Sequence, residues 1–201
     1  GSSPLDHLFV QLFYPKWAIT DKIDCFWSPR HHLPLLLPSK IATILTIHDL
    51  VWLKHPSTMA AGAKWLERAL MPASVKKSRC LICVSKFTER EVLDLWPSAG
   101  SKAQVIYPGA DFSALNTSQA KTSQPSRRFI LAVATIEPRK NLNLLIEAFA
   151  GLREKNLLRE DLVIVGGDGW KTTLPERSIS GVHLLKNVSD ERLAELYGTA
   201  E

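Results

Sequence analysis

The sequence predicts an α/β protein built on parallel sheets, and three observations carry that reading. Short runs of β-branched and aromatic residues recur along the 201-residue chain, several apolar without interruption, as strands covered on both faces should be. Between those runs apolar residues recur at helical spacing, marking helices with one buried stripe. The alternation is broken once, by a polar segment from Asp111 to Arg128 rich in Ser, Thr, Gln and Lys. Strands that alternate with helices form parallel sheets through right-handed crossovers.

Taken in order, strands are expected at residues 23–27, 41–47, 79–84, 104–107, 129–134, 162–165 and 182–185. One helix follows Ser85, an N-cap, with Phe87, Val92 and Leu95 turned inward. A second presents Leu142, Leu145, Ile146, Phe149 and Leu152 on one face. A third follows Ser189, with Asp190 and Glu191 in its first turn and Leu193, Leu196 and Tyr197 apolar. The polar segment reads as a linker, so we expect a domain over residues 1–112, a linker over 113–127 and a second domain over 128–201. Neither half reads as complete, since three strands in the second give little area to cover on two faces.

Composition narrows the function classes. With 45% apolar residues the chain can bury a core, and its net charge of +5 and pI near 9.2 fit an anionic ligand, nucleic acid or an acidic membrane surface. The cations are scattered, with only KKSR at 76–79 clustered, which disfavours nucleic acid and leaves that cluster as the place for peripheral membrane contact. No apolar stretch approaches the roughly 18 residues of a spanning helix and no basic-then-apolar leader opens the chain, so the expectation is a soluble, cytoplasmic protein. Three cysteines are too few for a disulfide scaffold. Cys80 and Cys83 form a C-x-x-C, but on a strand positions three apart face opposite ways, so they read as buried thiols rather than a redox or zinc pair.

In open parallel sheets ligands bind beyond the carboxyl ends of the strands, which directs attention to four segments. In ATIEPRKN, Arg139 and Lys140 sit where a strand hands over to a helix, stacking cations on an already positive helix start; an anion fits there, and a solvated basic turn is the bland alternative. In IVGGDGW, Gly166 and Gly167 allow a backbone to approach a ligand, or simply make a tight turn. As a dinucleotide fingerprint this segment fails, because the third glycine would fall at Thr172. In TIHDL, His48 and Asp49 end a strand, and His48 can orient a substrate hydroxyl or serve as an ordinary hydrogen-bonded histidine. His31 and His32, between Pro29 and Pro34, are similar but weaker. In LLKNVSDERL, the backbone at Asn187 and Val188 can meet a base edge or form a plain turn.

Seven segments, FWSPRHHLPLLLPSK, TIHDLVWLKHP, CVSKFTEREVL, VIYPGAD, ILAVATIEPRKNLNLLIEAF, LVIVGGDGW and VSDERLAELY, together resemble the retaining, nucleotide-sugar-dependent glycosyltransferases of family 4, the group 1 family with the GT-B fold. The EPRKN segment resembles the branch containing bacterial mannosyl- and rhamnosyltransferases of surface polysaccharides. The resemblance implies two Rossmann-like domains: an acceptor-side domain over 1–112 lacking its first strand, and a truncated nucleotide-sugar domain over 128–201. It implies that Lys140 grips the donor diphosphate with Arg139 assisting, Thr135 standing where many relatives carry arginine. His48 would lie beside the reacting sugar, Gly166 and Gly167 would line the donor cleft, and Val188 would meet the nucleobase through its backbone. His31, His32 and Asp49 are acceptor-side candidates.

No metal and no cofactor are implied: the donor is a GDP- or UDP-linked sugar, the acceptor a glycan or lipid-linked glycan, and the location cytoplasmic, at the inner face of the membrane. The family's glycine-rich first loop and its paired glutamates would lie outside residues 1–201, so the chain alone is expected to bind donor weakly and transfer little sugar. Two other readings stand beside this one: a non-catalytic glycosyltransferase-like binding module, and an NAD-linked oxidoreductase, which the missing fingerprint disfavours.

Overall fold

A computed structural model describes residues 4–59, 61–109, 128–169 and 179–201. The chain divides into two compact units, Gly1–Gly109 and Ala110–Glu201. The expected linker, 113–127, lies outside the described residues, as does Trp170.

The first unit opens with helix α1 (Pro4–Thr20), followed by β1 (Cys25–Ser28), β2 (Ala42–Ile47), the short α2 (Val51–Lys54), α3 (Ala61–Lys77), β3 (Cys80–Cys83), α4 (Lys86–Leu95) and β4 (Ala103–Val105). Its four strands are all parallel, in the order β1-β2-β3-β4. Burial alternates along β3 and the first part of β2, as the period of a strand requires: Leu45, Ile47, Leu81 and Cys83 are fully buried, while Ile44, Cys80 and Ile82 are half-buried and only Thr46 on that second face of β2 is buried. The buried row packs against Leu33, Met71, Val75 and Val92. One face of this sheet is therefore deeply covered and the other only partly so among the described residues, where sequence predicted full cover on both.

Several sequence expectations shift by a residue or two, and some side chains turn the other way. Phe87, expected inward, is 68% exposed, because the phase of α4 is set by buried Thr88 and Val92. Leu95 and Leu152, each placed on the apolar face of its helix, are exposed as well, and so is Tyr197, read from sequence only as apolar. The last strand of the first sheet ends at Val105, leaving Tyr107 exposed. Sequence missed α1 and α3 altogether. Cys83 is buried and burial, with the Glu89 charge adding, pushes its thiol up to about 11, the state of an inert core thiol; Cys80 is half-buried rather than buried.

The carboxyl end of α3 is closed from a distance. The Lys102 ammonium donates to the carbonyls of Val75 at 2.6 Å and Ser78 at 2.8 Å, satisfying groups that a helix end leaves without partners.

The second unit comprises β5 (Phe129–Val133), α5 (Leu142–Glu154), β6 (Asp161–Val165), β7 (Val182–Leu185) and α6 (Asp190–Thr199), with a parallel sheet in the order β5-β6-β7. This sheet is covered on both faces, as predicted. Ile130, Ala132, Leu162, Ile164 and Val182 face Leu142, Ile146 and Phe149 of α5. Residues of the opposite parity, Phe129, Leu131, Val163, Val165 and Leu185, pack with Leu193 and Leu196 of α6. Three strands suffice because each helix covers one face.

Candidate functional site

Parallel strands deliver their following loops to one edge, and in each unit the candidate residues lie on that carboxyl edge. In the first unit the loop after β1 carries His31 and His32, and the end of β2 carries His48 and Asp49. The loop is pinned from two helices. The Gln11 side chain of α1 donates to the Leu33 carbonyl and accepts from the Leu35 amide, at 2.9 and 2.8 Å, while the Ser74 hydroxyl of α3 accepts from the Leu33 amide. Lys77 donates to the Leu37 carbonyl at 2.7 Å.

Glu67, which sequence reasoning did not single out, stands at the centre of the histidines. Its two carboxylate oxygens receive His31 Nδ1 at 3.3 Å and His32 Nε2 at 2.9 Å. Burial alone would raise this carboxyl, but the hydrogen bonds and charge of the two imidazoles outweigh it and hold Glu67 at about 2. The His48 main-chain amide donates to His31 Nε2 at 3.1 Å, and the His48 ring is tethered through Nε2 to the Pro29 carbonyl at 2.8 Å. The His31 and His48 ring centroids lie 5.6 Å apart. Asp49 accepts from the Val51 amide at 3.1 Å, shaping the entry to α2. The structure thus brings His31, His32 and His48 into one cluster, with the His48 ring exposed.

In the second unit the loops after β5, β6 and β7 interlock. The Ala134 and Ile136 amides donate to the carbonyls of Val165 and Gly167, and the Gly166 amide donates to Leu185. A Cβ on Gly166 would lie 1.9 Å from the Ala134 carbonyl oxygen, and one on Gly169 2.2 Å from that of Ile136, so these glycines are required by the fold itself. Gly167 differs: it is exposed and a Cβ there would meet nothing within 4 Å. Val188 packs its side chain beneath α6, next to Asn187 in a left-handed conformation.

The EPRKN segment forms a short 3-10 turn, Pro138–Lys140, that ends on Asn141 in the left-handed region at φ 48°. Arg139 places Nε and Nη2 on one oxygen of buried Glu137, at 3.1 and 2.9 Å. The two adjacent cations of the sequence are therefore not equivalent. Arg139 is anchored to a carboxylate, whereas Lys140 is exposed and makes no ion pair among the described residues. The helix that Lys140 precedes is also distinctive. Ser85 and Ser189 cap α4 and α6 with their hydroxyls, but Asn141 gives α5 no side-chain cap. A 13-residue helix thus presents its first amides without a side-chain acceptor, beside an unpaired ammonium. A third cation on this edge, Lys186, is paired with Asp168 at 2.5 Å. A separate pocket lined by Arg128, Arg153, Arg159 and Glu160 lies at the amino ends of β5 and β6, and its Arg128 is engaged by Glu201.

Residues 5–114 match Glycosyltransferase Family 4, and residues 115–201 match Glycosyl transferases group 1. The chain is similar to O-antigen chain mannosyltransferase B of Escherichia coli, at 24% identity over 208 residues, covering 94% of this chain and 54% of that protein. Over a shorter stretch it is similar to alpha-1,3/1,6-mannosyltransferase ALG2 of Rhizomucor pusillus, at 30% identity over 95 residues, 41% of this chain and 21% of that one. Among solved structures it resembles a glycosyltransferase from Rickettsia africae ESF-5, with a TM-score of 0.63 at 14% identity, covering 100% of this chain and 56% of the other. The chain spans about half the length of the bacterial mannosyltransferase and of the Rickettsia protein.

Proposed function

The chain belongs to Glycosyltransferase Family 4, and from that premise we propose that it is part of an enzyme that moves a mannose-like hexose from a nucleotide-diphosphate sugar to a hydroxyl of a glycan or lipid-linked glycan, with retention. The observation that carries the reading is Lys140, exposed and without an ion pair among the described residues, next to the amino end of α5, to which Asn141 gives no side-chain cap. When the bond between sugar and diphosphate breaks, negative charge grows on the departing phosphate. An ammonium and a row of main-chain amides stabilise that charge, the amides without reorganising. In this reading the helix end and Lys140 supply the positive charge, and the reaction needs no divalent ion.

Arg139 assists from a position fixed by Glu137. Gly167, open on its surface, lets the donor approach the main chain, and Gly166 keeps the loops interlocked behind it. The names of two relatives, both mannosyltransferases, support the sugar class. A GDP- or UDP-linked donor and an enzyme working at the inner face of the membrane complete the proposal. The test is a panel of nucleotide sugars offered to the full-length protein, with release of nucleoside diphosphate measured with and without a glycan acceptor. Turnover of one or a few hexose donors is the expected result. Release from none of them, in a protein shown to be folded, would remove the reading.

A further inference from the structure

We propose that Glu67 is a positioning residue that acts through His31 on the main chain of His48, whose ring, held at Nε2 by the Pro29 carbonyl, offers an unprotonated Nδ1 to a substrate hydroxyl. This rests on the glycosyltransferase reading for the identity of the substrate, but the network follows from hydrogen-bond chemistry alone.

The tautomers can be assigned one bond at a time, because each partner has a fixed role. An ionised carboxylate only accepts, and the Glu67 oxygens face His31 Nδ1 and His32 Nε2, so both of those nitrogens carry hydrogen. The His48 main-chain amide only donates, and it points at His31 Nε2, so that nitrogen keeps its lone pair. His31 is thereby fixed as the neutral Nδ1–H tautomer, a relay that receives at one end and donates at the other. The Pro29 carbonyl only accepts, so the His48 nitrogen facing it, Nε2, carries hydrogen. The neutral His48 ring then holds its lone pair on Nδ1, which makes no hydrogen bond among the described residues on an exposed ring.

The arrangement has chemical content. A nitrogen lone pair accepts a hydrogen bond from a hydroxyl and repels a phosphate oxygen, so His48 addresses a sugar O–H rather than the diphosphate. Its main chain is fixed from both sides: the amide by His31 and the carbonyl by the Thr88 hydroxyl of α4 at 3.1 Å. Glu67 reaches the reacting region only through His31, from a helix outside the sequence motifs.

The test is long-range proton–nitrogen NMR on the full-length protein labelled with 15N at histidine, at roughly pH 8, where an ordinary imidazole is neutral. The wild-type protein should show His48 unprotonated at Nδ1 and protonated at Nε2, with His31 the reverse. In Glu67→Gln the amide offers one acceptor and one donor where two acceptors are needed. His31 should then become a tautomer mixture and the His48 main-chain amide should exchange faster with solvent, while the His48 ring keeps its Nε2–H, with kcat lower by up to about 100-fold and donor KM unchanged. His31→Phe removes the acceptor of the His48 amide while leaving Glu67 its His32 partner, and should reproduce the faster exchange of that amide even where Glu67→Gln folds poorly. A wild-type His48 protonated on Nδ1, or a His48 amide whose exchange is unmoved in both variants, would overturn the proposal. Should the tautomers behave as described in a protein that turns over no nucleotide sugar, the network stands and the reading of its substrate falls.

Discussion

Lys140 is the residue on which charge stabilisation depends, since Arg139 is already committed to Glu137. In the full-length enzyme Lys140→Ala should lower kcat by on the order of 100-fold, the scale seen when one prepositioned donor to a developing anion is lost. Steady-state transfer assays check it, and an unchanged rate would remove the role. The sequence displayed both cations; it did not display which one is tied to Glu137, because the Glu137 side chain lies buried by a fold that the local motif does not encode. The glycines separate in the same way. Gly166→Ala forces a Cβ to within 1.9 Å of a carbonyl oxygen and should cost about 3 kcal/mol or more, above ordinary overpacking. Gly167→Ala, with open space around it, should alter stability by less than about 1 kcal/mol and instead raise donor KM. Chemical denaturation of the two variants, with donor kinetics on the second, reads this out. Glu67 gives a pH prediction whose sign is fixed by its lowered pKa. Folding holds this carboxyl at about 2 against 4.5 for the free group, so its stabilisation is complete above about 4.5 and is lost as pH falls through about 2. Glu67→Gln should therefore flatten the acid limb of stability between those values, measured by urea unfolding at stepped pH.

Among the elements, those with strong local signals were legible. Ser85 and Ser189 announced α4 and α6, and each hydroxyl accepts from the amide three residues on. The strands were found within a residue or two because uninterrupted β-branched runs leave few alternatives. Helices α1 and α3 were not legible. Both contain an internal proline, Pro15 and Pro72, which ordinarily argues against a helix interior. In addition α1 carries exposed Leu8, Phe9, Leu12, Phe13 and Trp17 on its outer side, so apolar residues do not mark its buried face. Missing α3 meant missing Glu67, whose histidine partners lie 35 and 36 residues away in sequence. One cap does more than end a helix. Ser85 accepts the Thr88 amide at 3.0 Å and hydrogen-bonds the Thr88 hydroxyl at 2.9 Å, and that hydroxyl donates to the His48 carbonyl. Ser85→Ala should cost about 1 kcal/mol as a cap. It should also loosen residue 48, seen as faster amide hydrogen exchange around β2's carboxyl end than a cap lost at Ser189 produces there.

At the scale of the molecule, the alternation of strand and helix was enough to give the fold class, and a polar segment was enough to suggest two bodies. Physical independence of those bodies is a stronger statement, and it can be tested. Each unit has its own sheet and its own buried clusters, and each is near 100 residues, a size that sustains a core. Units of this kind unfold as separate cooperative blocks when their cores do not depend on one another. Gly166→Ala and Glu67→Gln then act as local probes, one in each unit. In hydrogen exchange followed by mass spectrometry along a urea series, Gly166→Ala should advance the loss of protection in β5, β6 and α5 while leaving β2 and β3 on the wild-type curve. Glu67→Gln should do the reverse, most clearly near pH 7, where its stabilisation is fully present. In a thermal scan each kcal/mol should move only its own transition, by about 4–8 °C for domains of this length. A single shift shared by all peptides would mean that the two sheets fold as one, and the effect of Lys140 or His48 variants on activity would then have to be separated from a stability change common to the whole chain.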